Sequence, residues 1–253
     1  MAKQSFSAIG ASKACKHMLR SPGKRVLIVD DNKSIRTMVA DYLGAKGYDV
    51  IQAADGIKGL DYGLSSSADL IILDVVMPGI DGVRLCQLLR DKGVTTPIIM
   101  LTEKAAIGDK EAGYEVGVDD YLAKPFNPRE LELRIEALRK RATAKRDQPD
   151  EKAVKLGELE IDFTRHEVKL SGNPILLTPI EFNILRLLAS APGHVYSRQD
   201  LLSAIWDTAY EGYKRNIDPH VNRLRTKIEG NPRRPTYILT VWGVGYKFND
   251  ALQ

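Results

Sequence analysis

Cysteine is nearly absent: Cys15 and Cys86 are the only two in 253 residues. That excludes a disulfide scaffold and suits a reducing cytosol, with Cys86 read as a packed free thiol in a helix. Long apolar runs are also missing. No stretch approaches the ~18 uninterrupted apolar residues of a membrane span, and MAKQSFSAIGASKACKHMLR lacks the apolar segment of a secretory signal. There is no internal repeat, and no charge excess large enough to name a partner, since 37 basic against 33 acidic residues leave only +4. A hydrophobic content of 43% with 28% charged residues is that of an ordinary globular chain, and the length fits one large domain or two ordinary ones.

The charge is unevenly placed. Residues 1–23 carry four basic residues and no acid, residues 24–128 carry 12 basic and 16 acidic, and residues 129–253 carry 21 basic and 17 acidic. An acidic segment between basic ones is expected of two domains with different partners. The composition divides the chain into a basic tail at 1–23, expected to be disordered, a first domain at 24–141, a polar linker at 142–153 and a second domain at 154–250.

In the first domain, Val26–Val29, Leu70–Leu73 and Ile98–Leu101 are unbroken apolar runs rich in β-branched residues, the pattern of strands buried on both faces of a parallel sheet. Helical spacing separates them: Ile35, Met38, Val39, Tyr42 and Leu43 share one stripe, and Leu131, Ile135 and Leu138 another. Alternating strands and helices give a doubly wound α/β sheet, whose site lies beyond the carboxyl ends of the strands. Asp30 and Asp31, Asp74, Thr102 and Lys124 all fall there. Three clustered carboxylates repel one another unless a cation sits among them, and hard oxygen ligands favour Mg²⁺. With a lysine and a hydroxyl, such a pocket suits receipt of a phosphoryl group.

VLIVDDN, LIILDVVMPGIDG, PIIMLT and DDYLAKPF resemble the signatures of bacterial response-regulator receivers, a flavodoxin-like five-stranded fold. The resemblance implies that Asp74 accepts phosphate from a histidine kinase, that Asp30, Asp31, Asp74 and the backbone carbonyl of Val76 hold Mg²⁺, and that Lys124, across a cis bond to Pro125, binds the phosphoryl oxygens with Thr102. Thr102 and Tyr121 match the family's switch pair. Two positions stand out. Glu103 takes the place of a usually small residue, where it either faces the incoming anion or points to solvent. Val76 offers no group to orient water, so slow self-dephosphorylation is expected.

The second domain opens with short alternating strands in LGELEIDFTRHEVKL. Thr178-Pro179-Ile180-Glu181 is a helix start with a threonine cap, proline in the first turn and glutamate three residues on; Ser197 starts another helix. In a third, Ile217, Val221, Leu224 and Ile228 form an apolar back. Residues 214–227 carry five basic side chains and one acid. An apolar back with a basic, amide-bearing front suits a DNA major groove. Pro219 fixes the start of this helix near itself.

LTPIEFNILRLL, PGHVYSRQDLL, IDPHVNRLRTKIE and YILTVWGVGYKF resemble the α+β winged helix-turn-helix effector of the OmpR/PhoB family. That likeness implies phosphate contacts by Arg215, His220, Arg225 and Thr240 and base contacts by Asn222 and Arg223. Trp242 stands in the wing where an arginine is common; an indole packs against sugar but brings no charge. The pairing of domains implies a cytoplasmic, phosphorylation-controlled transcription factor with no membrane attachment. Its partners would be double-stranded promoter DNA, a cognate histidine kinase, RNA polymerase and a second copy of itself. The dimer face would include Lys110, Asp119, Asp120, Glu130 and Arg134, with Lys110–Glu130 and Asp120–Arg134 as interchain pairs.

Two other classes fit the residues less well. A regulator of the same fold controlled by a protein partner would dispense with phosphate, which the complete acidic set argues against. A Mg²⁺-dependent phosphohydrolase using Asp74 as nucleophile would need a substrate pocket motif and a second acid or base, which the sequence lacks. The expectation is therefore a regulator and not a turnover enzyme.

Overall fold

The computed structural model describes residues 24–103, 117–143, 153–206 and 216–252. The tail at 1–23 and most of the linker fall outside these residues, as do Cys15, Lys110 and Arg215. No helix among the described residues is long and apolar enough to cross a membrane.

The first domain runs β1 (Arg25–Val29), α1 (Lys33–Ala45), β2 (Asp49–Ala53), α2 (Gly56–Ser65), β3 (Leu70–Asp74), α3 (Gly82–Asp91), β4 (Ile98–Glu103), β5 (Asp120–Lys124) and α4 (Pro128–Thr143). The five strands form one parallel sheet in the order β2-β1-β3-β4-β5. Strand side chains alternate between its two faces. Leu27, Val29, Ile71, Leu73, Ile98 and Met100 pack with Leu85, Cys86 and Leu89 of α3. Val26, Ile28, Leu70, Ile72, Ile99 and Leu101 pack on the other side with Val39, Leu43, Leu131 and Ile135. Covering on both faces is why these strands read as continuous apolar runs. Burial pushes the Cys86 thiol up to about 11, which leaves it an inert packing group.

Asn32, Asp55 and Asp81 each cap the following helix by accepting backbone N–H groups. Gly82 is required by close approach: a Cβ there would lie 2.0 Å from the carbonyl oxygen of Asp74. Arg90, at the end of α3, ties the opposite edge of the sheet. Its guanidinium donates to the carbonyls of Val94, Thr96 and Gly117 and to the Asp119 carboxylate at 2.9 Å.

The second domain starts with a four-stranded antiparallel sheet of β6 (Val154–Leu156), β7 (Leu159–Asp162), β8 (Glu167–Leu170) and β9 (Asn173–Ile175). Helices α5 (Pro179–Ala189), α6 (Arg198–Ile205) and α7 (Asp218–Ile228) follow, and strand β10 (Tyr196–Ser197) joins the hairpin of β11 (Ile238–Val241) and β12 (Gly245–Phe248). Thr178 and Glu181 form a reciprocal capping box, as do Ser197 and Asp200. Pro219 lies in the first turn of α7, as its fixed φ demands. Ile217, Val221, Leu224 and Ile228 are all fully buried, in one core with Leu185, Leu188, Leu201, Ile238 and Phe248.

The two domains meet where the start of α5 faces the edge of the first domain's sheet remote from Asp74. A cavity of about 280 Å³ at this seam is lined by Asp69, Thr95 and Pro97 on one side and Leu177, Phe182 and Asn183 on the other.

Candidate functional site

The carboxyl ends of β1, β3, β4 and β5 bring the acidic set together. One carboxylate oxygen from each of Asp30, Asp31 and Asp74 lies within 4.8 Å of the others, with Asp30 and Asp74 buried and Asp31 exposed. Lys124 reaches across the pocket, its Nζ 2.9 Å from Asp30 and 2.8 Å from Asp74. Burial opposes the lysine charge, but its hydrogen bonds to Asp74 and Asp30 outweigh that and raise its pKa. Asp74 is raised too: burial dominates, and Asp30 adds repulsion against the lowering effect of Lys124. Among the described residues the site thus carries more carboxylates than the Lys124 ammonium balances.

That imbalance is the test of fit for Mg²⁺, and these residues pass it. They are all-oxygen donors, and the exposed Asp31 leaves room for the waters the ion retains. Thr102 sits buried at the end of β4. Tyr121, on β5 beside Met100, is only 3% exposed, so its ring occupies the inward position. The Lys124–Pro125 peptide is cis, as the resemblance implies. Glu103 is exposed and takes the solvent alternative; Val76 is 65% exposed beside the pocket.

Helix α7 presents a different picture from the expected one. Asn222 is exposed. His220, expected at a phosphate, is instead fully buried against the Trp206 ring at 5.3 Å. Burial holds its pKa well below the usual value, with Arg223 adding to the effect, so it is a neutral ring accepting from Arg223 Nη2 through Nδ1 at 2.7 Å. Arg225 departs in the same way. It turns into the domain and donates to the Ile238 carbonyl at 3.0 and 2.6 Å and to Thr240 at 2.8 Å. The Thr240 hydroxyl is therefore engaged inside the chain. Trp242, at the wing tip, is 89% exposed.

The expected dimer face is also largely satisfied within one chain. Arg134 pairs with Asp120 at 3.0 Å and with Glu130 at 2.9 Å. The Asp120–Arg134 contact assigned to an interface between copies is thus a buried pair within the chain. Asp119 is buried and turned to Arg90. Lys110 and Arg215 lie outside the described residues.

Residues 26–136 match the family of response regulator receiver domains, and residues 172–248 match the C-terminal domain of transcriptional regulatory proteins. The transcriptional regulatory protein ResD of Bacillus subtilis is 41% identical over 229 residues, covering 88% of this chain and 95% of its own. The DNA-binding response regulator MtrA of Mycobacterium tuberculosis is 40% identical over 225 residues, covering 88% of this chain and 96% of its own. The chain belongs to the OmpR/PhoB family of response regulators. Among solved structures, the regulator is similar to a mutant of RitR with a TM-score of 0.70 and 25% identity, over 90% of this chain and 99% of that one.

One residue that organises the regulator's α7 carries no functional mark in the sequence. The Glu181 carboxylate, 1% exposed, accepts from the Thr178 backbone N–H at 2.9 Å, from Lys227 Nζ at 2.7 Å, and faces Arg223 Nε at 3.5 Å. Its capping role is local and legible. Its hold on Lys227 of α7 spans 46 residues and has no sequence signal.

Proposed function

We infer that this DNA-binding transcriptional response regulator is switched by phosphorylation of its receiver. We propose that Asp74 is the phosphoacceptor, that a cognate histidine kinase supplies the phosphoryl group, and that modification promotes receiver dimerisation and binding to tandem half-sites in promoter DNA. The observation that carries this reading is the lysine-bridged acidic pocket at the carboxyl edge of the sheet. Asp30, Asp31, Asp74 and the Val76 carbonyl would hold Mg²⁺, which when bound neutralises charge on the carboxylates and on the transferring phosphoryl group. Asp74 supplies the attacking oxygen, the N–P bond to the kinase's histidine breaks and its imidazole leaves, Lys124 moves from its carboxylates to the phosphoryl oxygens now on Asp74, and Thr102 donates its hydroxyl to them. Tyr121 follows Thr102 and holds the inward position.

Asn222 and Arg223 then face bases, with Arg215 at a phosphate, Thr240, whose oxygen accepts from Arg225, donating its hydroxyl proton to another, and Trp242 against sugar. The dimer face includes Lys110 and Glu130, while Asp119, Asp120 and Arg134 shape it through pairs within each chain. RNA polymerase would be the downstream partner, in the cytoplasm. The test is the full chain treated with beryllofluoride and Mg²⁺. Dimerisation and tighter promoter binding are expected in the wild type and are expected to vanish in Asp74→Ala. An Asp74→Ala chain that still dimerises on treatment overturns the assignment.

A further inference from the structure

The outward groups of α7 are neutral ones. Pro219, Asn222 and Thr226 follow one another at spacings of three and four and so share one face of the helix. Asn222 and Thr226 are exposed, and Pro219 is half-buried. The Asn222 amide has no hydrogen-bond partner among the described residues. Its backbone carbonyl accepts from the Thr226 hydroxyl at 3.0 Å, which engages that proton within the helix. The cations are placed differently: Glu181 faces both Arg223 and Lys227, and the Ile238 carbonyl takes Arg225. A guanine contact would draw Arg223 from partners, a cost that Asn222 does not carry.

The wing tip is neutral in a second way. The Val244 N–H donates to the Val241 carbonyl at 3.0 Å, and Gly243, at a φ of 75°, closes the turn that carries Trp242. The hairpin below this turn is pinned. A Cβ on Gly245 would lie 2.0 Å from the Tyr196 carbonyl oxygen, and Arg225 ties Ile238 and Thr240 to α7. Trp242 is therefore held at a set offset from Asn222. It is 89% exposed, beside Val244 at 47%. Its indole N–H is a donor with no acceptor among the described residues, and the ring carries no charge.

An amide pairs bidentately with adenine N6 and N7 in the major groove, and apolar groups such as the Pro219 ring and the Thr226 methyl suit the thymine methyl. With α7 in a major groove, the hairpin braced beside it meets the flanking minor groove. There A·T and T·A pairs offer only acceptors, adenine N3 and thymine O2, whereas guanine adds its N2 amino donor. A donor-only indole finds an acceptor over A·T and meets a second donor over G·C. Taking the DNA-binding reading above as given, we propose that the regulator selects A·T pairs at both contacts: an adenine under Asn222 in the major groove and an A·T pair under Trp242 in the minor groove. The wing thus chooses by one hydrogen bond instead of by charge.

The test selects duplexes from a random library with the full chain, both untreated and treated with beryllofluoride, so that it does not depend on the phosphoacceptor. The enriched duplexes should share an adenine whose replacement by 7-deazaadenine weakens wild-type binding about five-fold or more and leaves Asn222→Ala unchanged. Pairs flanking it are then replaced one at a time. An inosine·cytosine pair keeps the major-groove edge of G·C but lacks the N2 amino group. Under the wing it should bind as A·T does, with G·C about five-fold weaker, the size of one neutral hydrogen bond. Trp242→Phe keeps a ring and loses the N–H, and should bring all three pairs within about two-fold. Acrylamide quenching reads the contact directly, because Trp206 is 3% exposed and bound duplex should shield Trp242. Equal wild-type affinity for inosine·cytosine and G·C at every flanking pair overturns the proposal, as do unchanged quenching or a G·C-rich core indifferent to Asn222→Ala. A library from which nothing is enriched overturns the DNA-binding reading and this proposal with it.

Discussion

Replacing Glu181 with alanine should uncouple α7 from α5 at a cost that can be worked from its contacts. The carboxylate is 1% exposed and holds Lys227 at 2.7 Å and Arg223 at 3.5 Å. Breaking a buried pair by removing one partner costs ~3–5 kcal/mol, because a charge is left without compensation. Lys227, with its side chain 32% exposed, can turn to water, so its share is discounted. Arg223, at 18%, is more enclosed and supplies most of the cost. Losing half of the capping box adds about 1 kcal/mol. A total of ~3–4 kcal/mol in a domain of about 100 residues lowers its Tm by at least ~12 °C. Tryptophan fluorescence reads this domain selectively, since Trp206 and Trp242 are the only two tryptophans and both lie in it. Glu181→Gln, which can still accept from the Thr178 N–H, should recover ~1 kcal/mol. A loss below ~1 kcal/mol for the alanine variant would show that the carboxylate is solvated and that α7 is held by its apolar face alone.

Three further outcomes are expected. Burial raises Asp119 from the usual 3.8 to about 6 despite Arg90; its contribution to stability is therefore full below pH ~4 and lost as pH rises through ~6, a change of up to ~3 kcal/mol. Urea midpoints of Asp119→Asn should lose that part of the pH dependence, and wild-type and variant curves running parallel from about pH 4 to 7 would exclude it. Gly82→Ala places a methyl 2.0 Å from the Asp74 carbonyl oxygen, so the acceptor loop must shift; ~1–3 kcal/mol of stability and most acetyl-phosphate labelling should go, and normal labelling would contradict the geometry. Val76, 65% exposed and apolar beside the pocket, cannot orient an attacking water. Phospho-Asp74 should persist for minutes or longer in purified protein, and decay in seconds would rule this out.

The acidic pocket was legible because topology alone assembles it. In a parallel sheet every strand ends at the same edge, so residues following successive apolar runs converge without further information. Helix starts were legible for a related reason: capping is settled within three residues, as at Thr178–Glu181. The inward turns of His220 and Arg225 were harder. His220 had a readable signal, since it falls three residues after Ile217 and four before Leu224, on the apolar stripe itself. A histidine there belongs to the core, and the basic surroundings drew attention from that. Arg225 had no such signal; its acceptors, Ile238 and Thr240, lie in a hairpin whose distance from α7 only the fold determines. The Asp120–Arg134 pair failed differently. The residues were correctly matched, but a strand and the helix that follows it brought them together within one chain before any second copy could.

The same consideration changes how the basic helix is understood. Counted along the sequence, residues 214–227 are five cations facing a polyanion. In the fold, Arg223, Arg225 and Lys227 each already have an acceptor: His220 and Glu181, the Ile238 carbonyl, and Glu181 with the Leu176 carbonyl. These arrangements are not equivalent. Arg225 braces α7 against the hairpin through two backbone-directed bonds, and withdrawing it would leave a buried carbonyl unpaired. Arg223 and Lys227 share one carboxylate, so either can leave while the other keeps Glu181 compensated. Sharing offsets part of the cost of withdrawing Arg223, and the remainder falls on the buried His220 Nδ1, which loses its donor. The positive charge on α7 is thus divided by the fold between a carbonyl brace at Arg225 and a shared carboxylate at Arg223 and Lys227, a division that no count of residues contains.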